Sequence, residues 1–380
     1  MTRKHTIVFY VSGHGFGHAS RQIEIINAIT TMYPDIGVIV RTAAPRWLFD
    51  RSVSSPITVH TGETDTGVVQ IDSLRVDPSA SIKLAWKFHR TLEDRAKREA
   101  LLLERYGATL VVGDIPPVAF TSAALAKIPS VAIGNFTWDW IYQKYQAQLH
   151  LGPALLHTIR EAYTAAETAW QLPLTGADSF SVFSNITRAP FVARHARHSP
   201  ADTRKALSLP SDRPLILVSF GRYGLQAVNW SAVTQPGDLG VILTRDPIDP
   251  GPTLPTIESH PRLYTFDIPT LATQGFDYAD LVAAADIVLT KPGYGIIAEC
   301  VANRTGLMFT SRGDFAEYEV LVNAMPQLLR CTYLAQKDLF AGRWSEAAQN
   351  IMTQPPVLKV RTDGAQIIAK DLALRASSGP

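Results

Sequence analysis

Short apolar segments alternate with segments of helical periodicity along most of this chain, and no other feature constrains its fold as strongly. Apolar strands that alternate with helices favour a parallel sheet covered by helices on both faces. The alternation lapses in the polar stretch 193–212 and then resumes, which predicts a linker between two domains of this type. The predicted strands are Thr6–Val11, Ile36–Arg41, Thr109–Gly113 and Ser130–Gly134 before the linker, and Pro214–Phe220, Gly240–Thr244, Arg262–Phe266, Asp286–Leu289 and Gly306–Thr310 after it.

One predicted helix is unusually long. Ser81–Tyr106 is expected to form a single amphipathic helix with many charges on one face. The other predicted helices are Ala19–Thr31, Pro117–Lys127, Ile296–Ala302, Phe315–Leu328 and, near the end of the chain, Asp363–Arg375. The 380 residues are enough for two α/β domains of ordinary size.

Net charge, apolar runs and cysteine spacing restrict the classes of function that are expected. A formal net charge of +2 gives no whole-protein field to attract nucleic acid, so no nucleic-acid partner is expected. No apolar stretch is long enough for a transmembrane helix, although peripheral membrane contact stays open. Cys300 and Cys331 lack metal-ligand spacing, so reduced, buried thiols and a cytoplasmic location are expected.

A glycine- and histidine-rich loop, Gly13-His14-Gly15-Phe16-Gly17-His18, follows the first predicted strand. Glycine lets a backbone approach a ligand closely, and the next helix offers N–H groups and a positive dipole end to an anion. A dinucleotide loop would need a third glycine where His18 stands. It would also need an acid after the second strand, where Arg41 and Thr42 stand, so an NAD site is disfavoured. A plain turn with solvated histidines is the remaining alternative.

Two further glycine loops follow predicted strands of the second half. Lys291–Gly295 leads into a helix that carries Glu299. Gly293 and Gly295 would admit a phosphate that Lys291 neutralises. Glu299 would accept hydrogen bonds from vicinal ribose hydroxyls, the alternative being a solvated helix glutamate. A second phosphate contact is expected from Gly221, Arg222 and Gly224.

Carboxylates and aromatic residues stand near the same strand ends. Asp114 ends a predicted strand, and the segment 134–140 is expected to expose Trp138 and Trp140 beside Asp139, which suits carbohydrate binding. The alternative is a loop folded over the core with tryptophan as filler. Acids that could hold sugar hydroxyls or match a helix dipole are Asp314, Glu317 and Glu319. Residues expected in a loop too polar for the core are Asp65, Gln70 and Asp72.

Several of these segments resemble those of known protein families. The loop 290–295 with Glu299, followed by Glu319 and Asn323, is similar to the donor-site region of glycosyltransferases with two Rossmann-like domains, the GT-B fold. It most resembles the lipid-linked N-acetylglucosaminyltransferases of peptidoglycan synthesis. Segments 11–21, 65–67 and 135–139 resemble the glycosyltransferase-like N-terminal region of L-arabinokinase-type proteins. The sequence shows no glycine/serine-rich ATP loop of the sugar-kinase type, so arabinokinase activity is not implied.

The resemblance implies two Rossmann-like domains facing a cleft. The acceptor domain would be 1–195, the nucleotide-sugar donor domain 212–362, and a last helix within 363–380 would cross back to the first domain. In the donor domain Glu319 would touch the transferred sugar, and Phe266 and Ile268 would lie beside the base. The other expected donor contacts are Gly221, Arg222, Gly224, Lys291, Gly293, Tyr294, Gly295 and Glu299, and the expected acceptor contacts are Gly13, His14, Gly15, Phe16, Gly17 and Trp138.

The leading hypothesis is therefore a hexosyl- or pentosyltransferase that uses a nucleotide diphosphate sugar, expected to be a UDP-sugar, and an unknown acceptor. Helix N-termini and Lys291 would stabilise the leaving diphosphate, so neither a metal nor another cofactor is expected. If the reaction inverts, His18 would be the general base, with Asp139 or Asp114 behind it. The alternatives are a nucleotide-sugar epimerase or hydrolase, and a non-catalytic sugar-nucleotide-binding module.

Overall fold

The computed structural model describes residues 5–221, 225, 228–233, 239–246 and 261–378. The chain divides into two compact units. The N-terminal unit comprises Met1–Gln70, Val76–Ala193 and Arg361–Pro380, and the C-terminal unit comprises Ile71–Arg75 and Arg194–Val360. Each unit has its own parallel sheet and its own apolar core, so the predicted α/β class is confirmed.

A seven-stranded parallel sheet forms the centre of the N-terminal unit. Its strands are β1 His5–Val11, β2 Ile36–Thr42, β3 Thr58–Thr61, β6 Leu110–Asp114, β7 Ser130–Gly134, β8 Thr168–Gln171 and β9 Ile186–Arg188, while β4 Val69–Gln70 and β5 Val76–Asp77 form a separate antiparallel pair. The order is β3-β2-β1-β6-β7-β8-β9. The inner strands β6 and β7 are buried throughout, as a sheet covered on both faces requires.

Helices cover this sheet. They are α1 Gly17–Met32, α2 Arg46–Ser52, α3 Pro78–His89, α4 Leu92–Arg105, α5 Pro117–Leu125, α6 Trp138–Gln143, α7 Leu155–Thr164 and α16 Gly364–Ser378, with a 3-10 helix at Gln146–Leu151. Helix α16, the last in the chain, packs into the N-terminal core through Ile368, Leu372 and Ala376. The indole of Trp170 on β8 also donates to Asp371 of α16 at 2.9 Å. The end of the chain is therefore part of the N-terminal unit.

The single long helix expected at 81–106 is wrong. The chain instead forms α3 and α4, separated at Arg90 and Thr91. The Thr91 hydroxyl donates to the carbonyl of Phe88 at 3.0 Å, and the Thr91 N–H donates to the same oxygen at 3.3 Å. Threonine competes in this way with the regular helical hydrogen bonds, which explains the break. Helix α3 also begins earlier than expected, because the Asp77 side chain caps it by accepting from the Ala80 N–H.

The C-terminal unit is built on a six-stranded parallel sheet of order β12-β11-β10-β13-β14-β15. Its strands are β10 Leu215–Ser219, β11 Gly240–Arg245, β12 Leu263–Asp267, β13 Ile287–Thr290, β14 Gly306–Phe309 and β15 Cys331–Tyr333. Its helices are α8 Pro200–Ala206, α9 Trp230–Val233, α10 Ile268–Thr273, α11 Tyr278–Ala284, α12 Tyr294–Asn303, α13 Tyr318–Ala324, α14 Gln336–Ala341 and α15 Ser345–Thr353, with a 3-10 helix at Met325–Gln327. All five predicted strands of this half are confirmed.

Two predictions for this half need correction. The stretch 193–212, predicted as a linker, begins at the boundary between the two units but also contains α8, whose N-cap Ser199 accepts from the Asp202 N–H at 3.1 Å. Pro200 is the first residue of that helix, a position that proline favours, so it does not indicate a loop here. The helix expected at Phe315–Leu328 is α13 followed by a 3-10 turn, and Pro326 stands inside that turn.

Candidate functional site

The crevice of a doubly wound sheet opens where the strand order reverses, at the carboxyl ends of the strands. In the N-terminal unit that point lies between β1 and β6, which are hydrogen-bonded neighbours. The loop Gly13–His18 follows β1, and Asp114 is the last residue of β6. The Ser12 N–H donates to the Asp114 carbonyl at 2.8 Å and joins the two strand ends. The histidine loop and Asp114 therefore meet at the switch point.

His18 and Asp114 form a buried pair. Nδ1 of His18 lies 2.8 Å from Oδ1 of Asp114, and the two residues are 4% and 0% exposed. Nη2 of Arg21 also lies 2.8 Å from this nitrogen. We assign a ring proton to Nδ1, because a deprotonated Nδ1 would direct its lone pair at a carboxylate oxygen. That tautomer leaves Nε2 as the atom that accepts a proton. The structure thus brings Asp114 to His18, whereas Asp139 makes no hydrogen bond to His18 within the described residues.

Further donors surround the Asp114 carboxylate. Arg21, one helical turn after His18, donates from Nε to Oδ2 at 2.6 Å and from Nη2 to Oδ1. Gln22 donates to Oδ2 at 2.7 Å, and Nη1 of Arg21 donates to the Asn135 side chain at 2.6 Å. Burial alone would raise the pKa of Asp114, but the charge of Arg21, the electrostatic interaction with His18 and the hydrogen bonds from both residues lower it to about 2. The carboxylate is therefore ionised at neutral pH.

Aromatic residues form the wall beside the imidazole. The His18 ring meets Phe136 edge-on at 5.5 Å and lies 6.1 Å from Trp138. Trp138 is 1% exposed, and its indole donates to Asp65 at 2.8 Å. Asp65 is buried too, and it accepts from the Ser12 hydroxyl at 3.0 Å. Burial raises the pKa of Asp65. Asp65 and Trp138 thus form one buried hydrogen-bonded unit behind His18.

The exposure expected at 134–140 is therefore wrong, and the alternative of a loop folded over the core is confirmed. Trp138, Asp139 and Trp140 are all buried. Asp139 lies on α6 and accepts from Arg160 at 2.8 Å. The indole of Trp140 donates to the Ala177 carbonyl at 3.1 Å. Asp65, expected in a polar surface loop, is buried because its two neutral donors replace water.

The glycine loop itself is tightly fitted. A Cβ on Gly13 would lie 2.8 Å from the Cβ of Ala43, so only glycine fits there. Gly15 has φ +69°, a conformation that glycine adopts without strain. The His14 ring meets Trp138 edge-on at 5.6 Å and packs against Gly67. Gly15 and Gly17 are exposed, whereas His14 and Phe16 are half-buried. The exposed surface of the loop therefore includes the backbone of Gly15 and Gly17 and parts of His14 and Phe16.

Lys291 occupies the equivalent switch point of the C-terminal sheet, between β10 and β13. The Thr290 hydroxyl donates to the Ser219 carbonyl and joins the two strand ends. Within the described residues the Lys291 ammonium makes no hydrogen bond or ion pair. Burial, together with the nearby Arg312 guanidinium, lowers the pKa of Lys291 to about 7. Gly293 is the N-cap of α12, and Tyr294 and Gly295 form its first turn.

Arg312 lies on the loop after β14 and is 8% exposed. Its Nη1 lies 3.0 Å from Glu317 and 3.3 Å from the Pro292 carbonyl. The guanidinium also lies 3.5 Å from the ring centre of Phe315. Arg312 thus adds a second cation beside Lys291. Glu319, the expected sugar contact, is exposed at the start of α13, and Glu317 makes the buried contact instead.

Glu299 is held by an arginine. Nε and Nη2 of Arg194 contact its Oε1 at 2.7 and 2.5 Å, and Glu299 is 5% exposed. The solvated-glutamate alternative is therefore wrong. Arg194 also lies 5.5 Å from the ring centre of Tyr278, whose hydroxyl donates to Ser219 at 2.6 Å. Within the described residues no donor is bonded to Oε2 of Glu299, so this oxygen can accept from a ligand.

The other expected donor contacts are placed as follows. Phe266 lies on β12 and Ile268 begins α10, both half-buried. Gly221 follows β10 and has φ +64°. Arg222 and Gly224 lie outside the described residues.

Comparison with known proteins supports the fold. No protein-family model matches the chain. Three similar solved structures are the glycotransferase of kitacinnamycin (14% identity, 98% of this chain and 96% of that one, TM-score 0.62), a UDP-glucose:anthocyanidin 3-O-glucosyltransferase in complex with UDP (12%, 100% and 98%, 0.61), and the calicheamicin glycosyltransferase (14%, 98% and 95%, 0.58). The chain has the GT-B fold.

A curated relative supports the second resemblance. The chain is 30% identical to an L-arabinokinase of Arabidopsis thaliana over 374 residues, which cover 96% of this chain. The resemblance to L-arabinokinase-type proteins is thus confirmed. Since the match covers 34% of that relative, the chain spans about a third of its length.

Within the described part of this GT-B chain, no group of three or more His, Cys, Asp or Glu side chains is placed to hold a metal ion. Both cysteines are free; Cys300 is buried and Cys331 is half-buried, so the expectation that both thiols are buried is wrong for Cys331. No helix among the described residues is long and apolar enough to cross a membrane.

Sequence reasoning missed three arginines of these sites. Arg21 follows His18 by one helical turn, a spacing that places both on one helix face, and this signal was available. Arg194 stood in the supposed linker, and Arg312 had no motif around it. Neither could be assigned without the tertiary contacts to Glu299 and Glu317.

Proposed function

We propose that this chain is a glycosyltransferase that moves a sugar from a nucleoside diphosphate sugar, with uridine as the nucleoside, to an acceptor hydroxyl without a metal ion. The observation that carries the proposal is the buried His18–Asp114 pair at a sheet switch point in a chain with the GT-B fold. One similar structure is a UDP-glucose-dependent transferase in complex with UDP, which supports uridine as the nucleoside.

In the proposed reaction the acceptor hydroxyl gives its proton to Nε2 of His18. The acceptor oxygen forms a bond to the anomeric carbon as the bond from that carbon to the diphosphate oxygen breaks, and UDP leaves with the bonding electrons. Asp114 keeps the imidazole in the tautomer that accepts this proton. The inverted sugar configuration follows from attack opposite the leaving group.

The C-terminal unit would bind the donor. The N-terminal end of α12, at Gly293–Gly295, and the Lys291 ammonium would neutralise the charge that develops on the diphosphate. Oε2 of Glu299 would accept from the ribose, while Arg194 holds the other oxygen of that carboxylate. The loop Gly13–His18 would form part of the acceptor site, with Trp138 supporting it from behind.

A thermal-shift screen with UDP, GDP, ADP and their sugar conjugates tests the donor site. A ligand at 100 times its Kd stabilises the native state by about 2.7 kcal/mol, so a specific nucleotide raises the melting temperature. We expect UDP to do so, and Glu299→Gln to weaken the shift while Glu346→Gln, an exposed glutamate on α15, leaves it unchanged. If no nucleotide raises the melting temperature, the proposal is refuted.

Product analysis of each stabilising UDP-sugar, with and without an acceptor panel, tests the reaction. We expect a transferred sugar that depends on the acceptor and is lost in His18→Gln, while that variant keeps the thermal shift with UDP. Epimerised or hydrolysed sugar without an acceptor would favour a nucleotide-sugar epimerase or hydrolase instead. Nucleotide binding without turnover of any UDP-sugar would favour a non-catalytic binding module.

A further inference from the structure

The guanidinium of Arg21 is buried in the site, and its side chain is only 8% exposed. Nε and Nη2 donate to the two oxygens of Asp114, and Nη1 donates to Asn135, whose own amide donates to the Pro173 carbonyl at 2.6 Å. The arginine therefore connects α1 to the ends of β6 and β7. Each of its three nitrogens therefore donates to a group of the protein.

Arg21 also lies against the imidazole. Its Nη2 is 2.8 Å from Nδ1 of His18, and both nitrogens lie within hydrogen-bonding distance of Oδ1 of Asp114. A carboxylate oxygen only accepts, so it can hold both donors side by side. A fixed positive charge at this distance opposes a second positive charge on the imidazole. The negative charge of Asp114, which would otherwise favour an imidazolium, is shared between His18 and Arg21.

We propose that Arg21 is a positioning residue of the His18–Asp114 pair: it fixes the carboxylate and keeps Nε2 of His18 without a proton at neutral pH. The inference rests on the proposed function, in which Nε2 must be free to accept the proton of the acceptor hydroxyl. Without Arg21, Asp114 alone would favour an imidazolium that cannot act as a base.

The charged groups that face His18 within the described residues are few. Arg21 comes from α1, Asp114 from β6, and Asp65 from the loop after β3, where its carboxyl interacts with His18 electrostatically. The remaining neighbours, Phe136 and Trp138, are neutral. Two carboxyl groups therefore favour the imidazolium, and Arg21 is the cation that opposes them.

NMR titration of this 380-residue chain, free of nucleotide and labelled with 15N-histidine, tests the proposal. His18→Gln identifies the His18 signal. In the wild-type protein we expect the neutral tautomer with the proton on Nδ1 at pH 7. Arg21→Met and Arg21→Gln remove the charge, and we expect each to raise the His18 titration midpoint by about one to three pH units. Arg21→Lys keeps the charge and should keep the midpoint within about half a pH unit of wild type.

Asn135→Ala is the matched control, because it loosens the packing of Arg21 without removing a charge. We expect its midpoint to stay close to wild type. An imidazolium or an Nε2–H tautomer in the wild-type protein at pH 7 overturns the proposal even if every Arg21 variant fails to fold. A midpoint that stays in place or falls in a folded Arg21→Met or Arg21→Gln variant overturns it as well. The titration needs no sugar nucleotide, so its outcome is separate from that of the transferase assays.

Discussion

UDP is expected to bind more weakly as the pH rises from 7 to 9, because Lys291 loses its proton in that interval. Burial and Arg312 lower the pKa of the free ammonium from 10.5 to about 7. A bound diphosphate places negative charge beside the ammonium and raises that pKa again. Binding then takes up a proton, and a process that takes up a proton weakens as the pH rises.

The magnitude follows from the two pKa values of Lys291. If the diphosphate restores the ordinary value of 10.5, the affinity at pH 9 is lower than at pH 7 by a factor of about 50, or roughly 2 kcal/mol. This is an upper limit, reached when the diphosphate fully offsets burial and Arg312. The terminal phosphate of UDP, with a pKa of about 6, is already ionised over most of this range and contributes little.

Calorimetric titration with UDP at pH 7, 8 and 9 measures this slope. Lys291→Met should bind weakly at every pH with no slope, and Lys291→Arg should keep the affinity of pH 7 and lose the slope, because arginine stays charged. Lys337→Met, an exposed lysine on α14, is the matched control and should keep the wild-type slope. A wild-type affinity that is flat between pH 7 and 9, or a slope that persists in Lys291→Met, refutes the reasoning.

Three further outcomes are expected for the N-terminal unit. Gly67→Ala should lower stability by about 1–3 kcal/mol in chemical unfolding, because its φ is +60° and a Cβ would lie 2.5 Å from the His14 ring. Ile368→Ala, fully buried on the last helix, should cost about 2–5 kcal/mol, whereas the exposed Leu374→Ala should change stability by less than about 0.5 kcal/mol. Asp114, with a folded pKa of about 2 against 3.8, should contribute about 2 kcal/mol that is present above pH 4 and lost as the pH falls towards 2. Acid unfolding of Asp114→Asn should lack that part of the pH dependence.

Nine strands were predictable because each carries its own signal, whereas β3, β4, β5, β8, β9 and β15 were not predicted. Segments such as Leu110–Asp114 and Ser130–Gly134 are buried over their whole length, so they read as short apolar runs whatever lies around them. The loops after them were predictable for the same reason, since parallel strands place their carboxyl ends at one edge. His18 and Asp114 could thus both be named as candidates from local pattern.

The predictions that were wrong or missing concern residues whose partners are distant in sequence or whose side chains compete with the backbone. Trp138 was predicted to be an exposed binding residue, but its indole donates a hydrogen bond to Asp65. No local sequence pattern reveals that contact. Thr91 interrupts a helix through a side-chain hydrogen bond that competes with the backbone, although the apolar period continues past it. The role of Arg194 depends on its contact with Glu299, which is 105 residues away in the sequence. Polar contacts of this kind are decided by the fold, whereas apolar periodicity only specifies the elements.

The two switch points differ in whether the charged side chain is hydrogen-bonded by the protein itself. This difference supports separate roles for the two units. In the N-terminal unit, donors of the protein occupy both oxygens of Asp114, so the His18 geometry is set before any ligand arrives. A base that must accept a proton in one fixed direction benefits from such preorganisation. In the C-terminal unit, the Lys291 ammonium has no hydrogen bond within the described residues, and its burial makes the charge costly. That cost is relieved when an anion binds, so the ligand itself completes the site. In the proposed reaction, His18 on one sheet would act as the fixed base, and Lys291 on the other would bind the anionic donor.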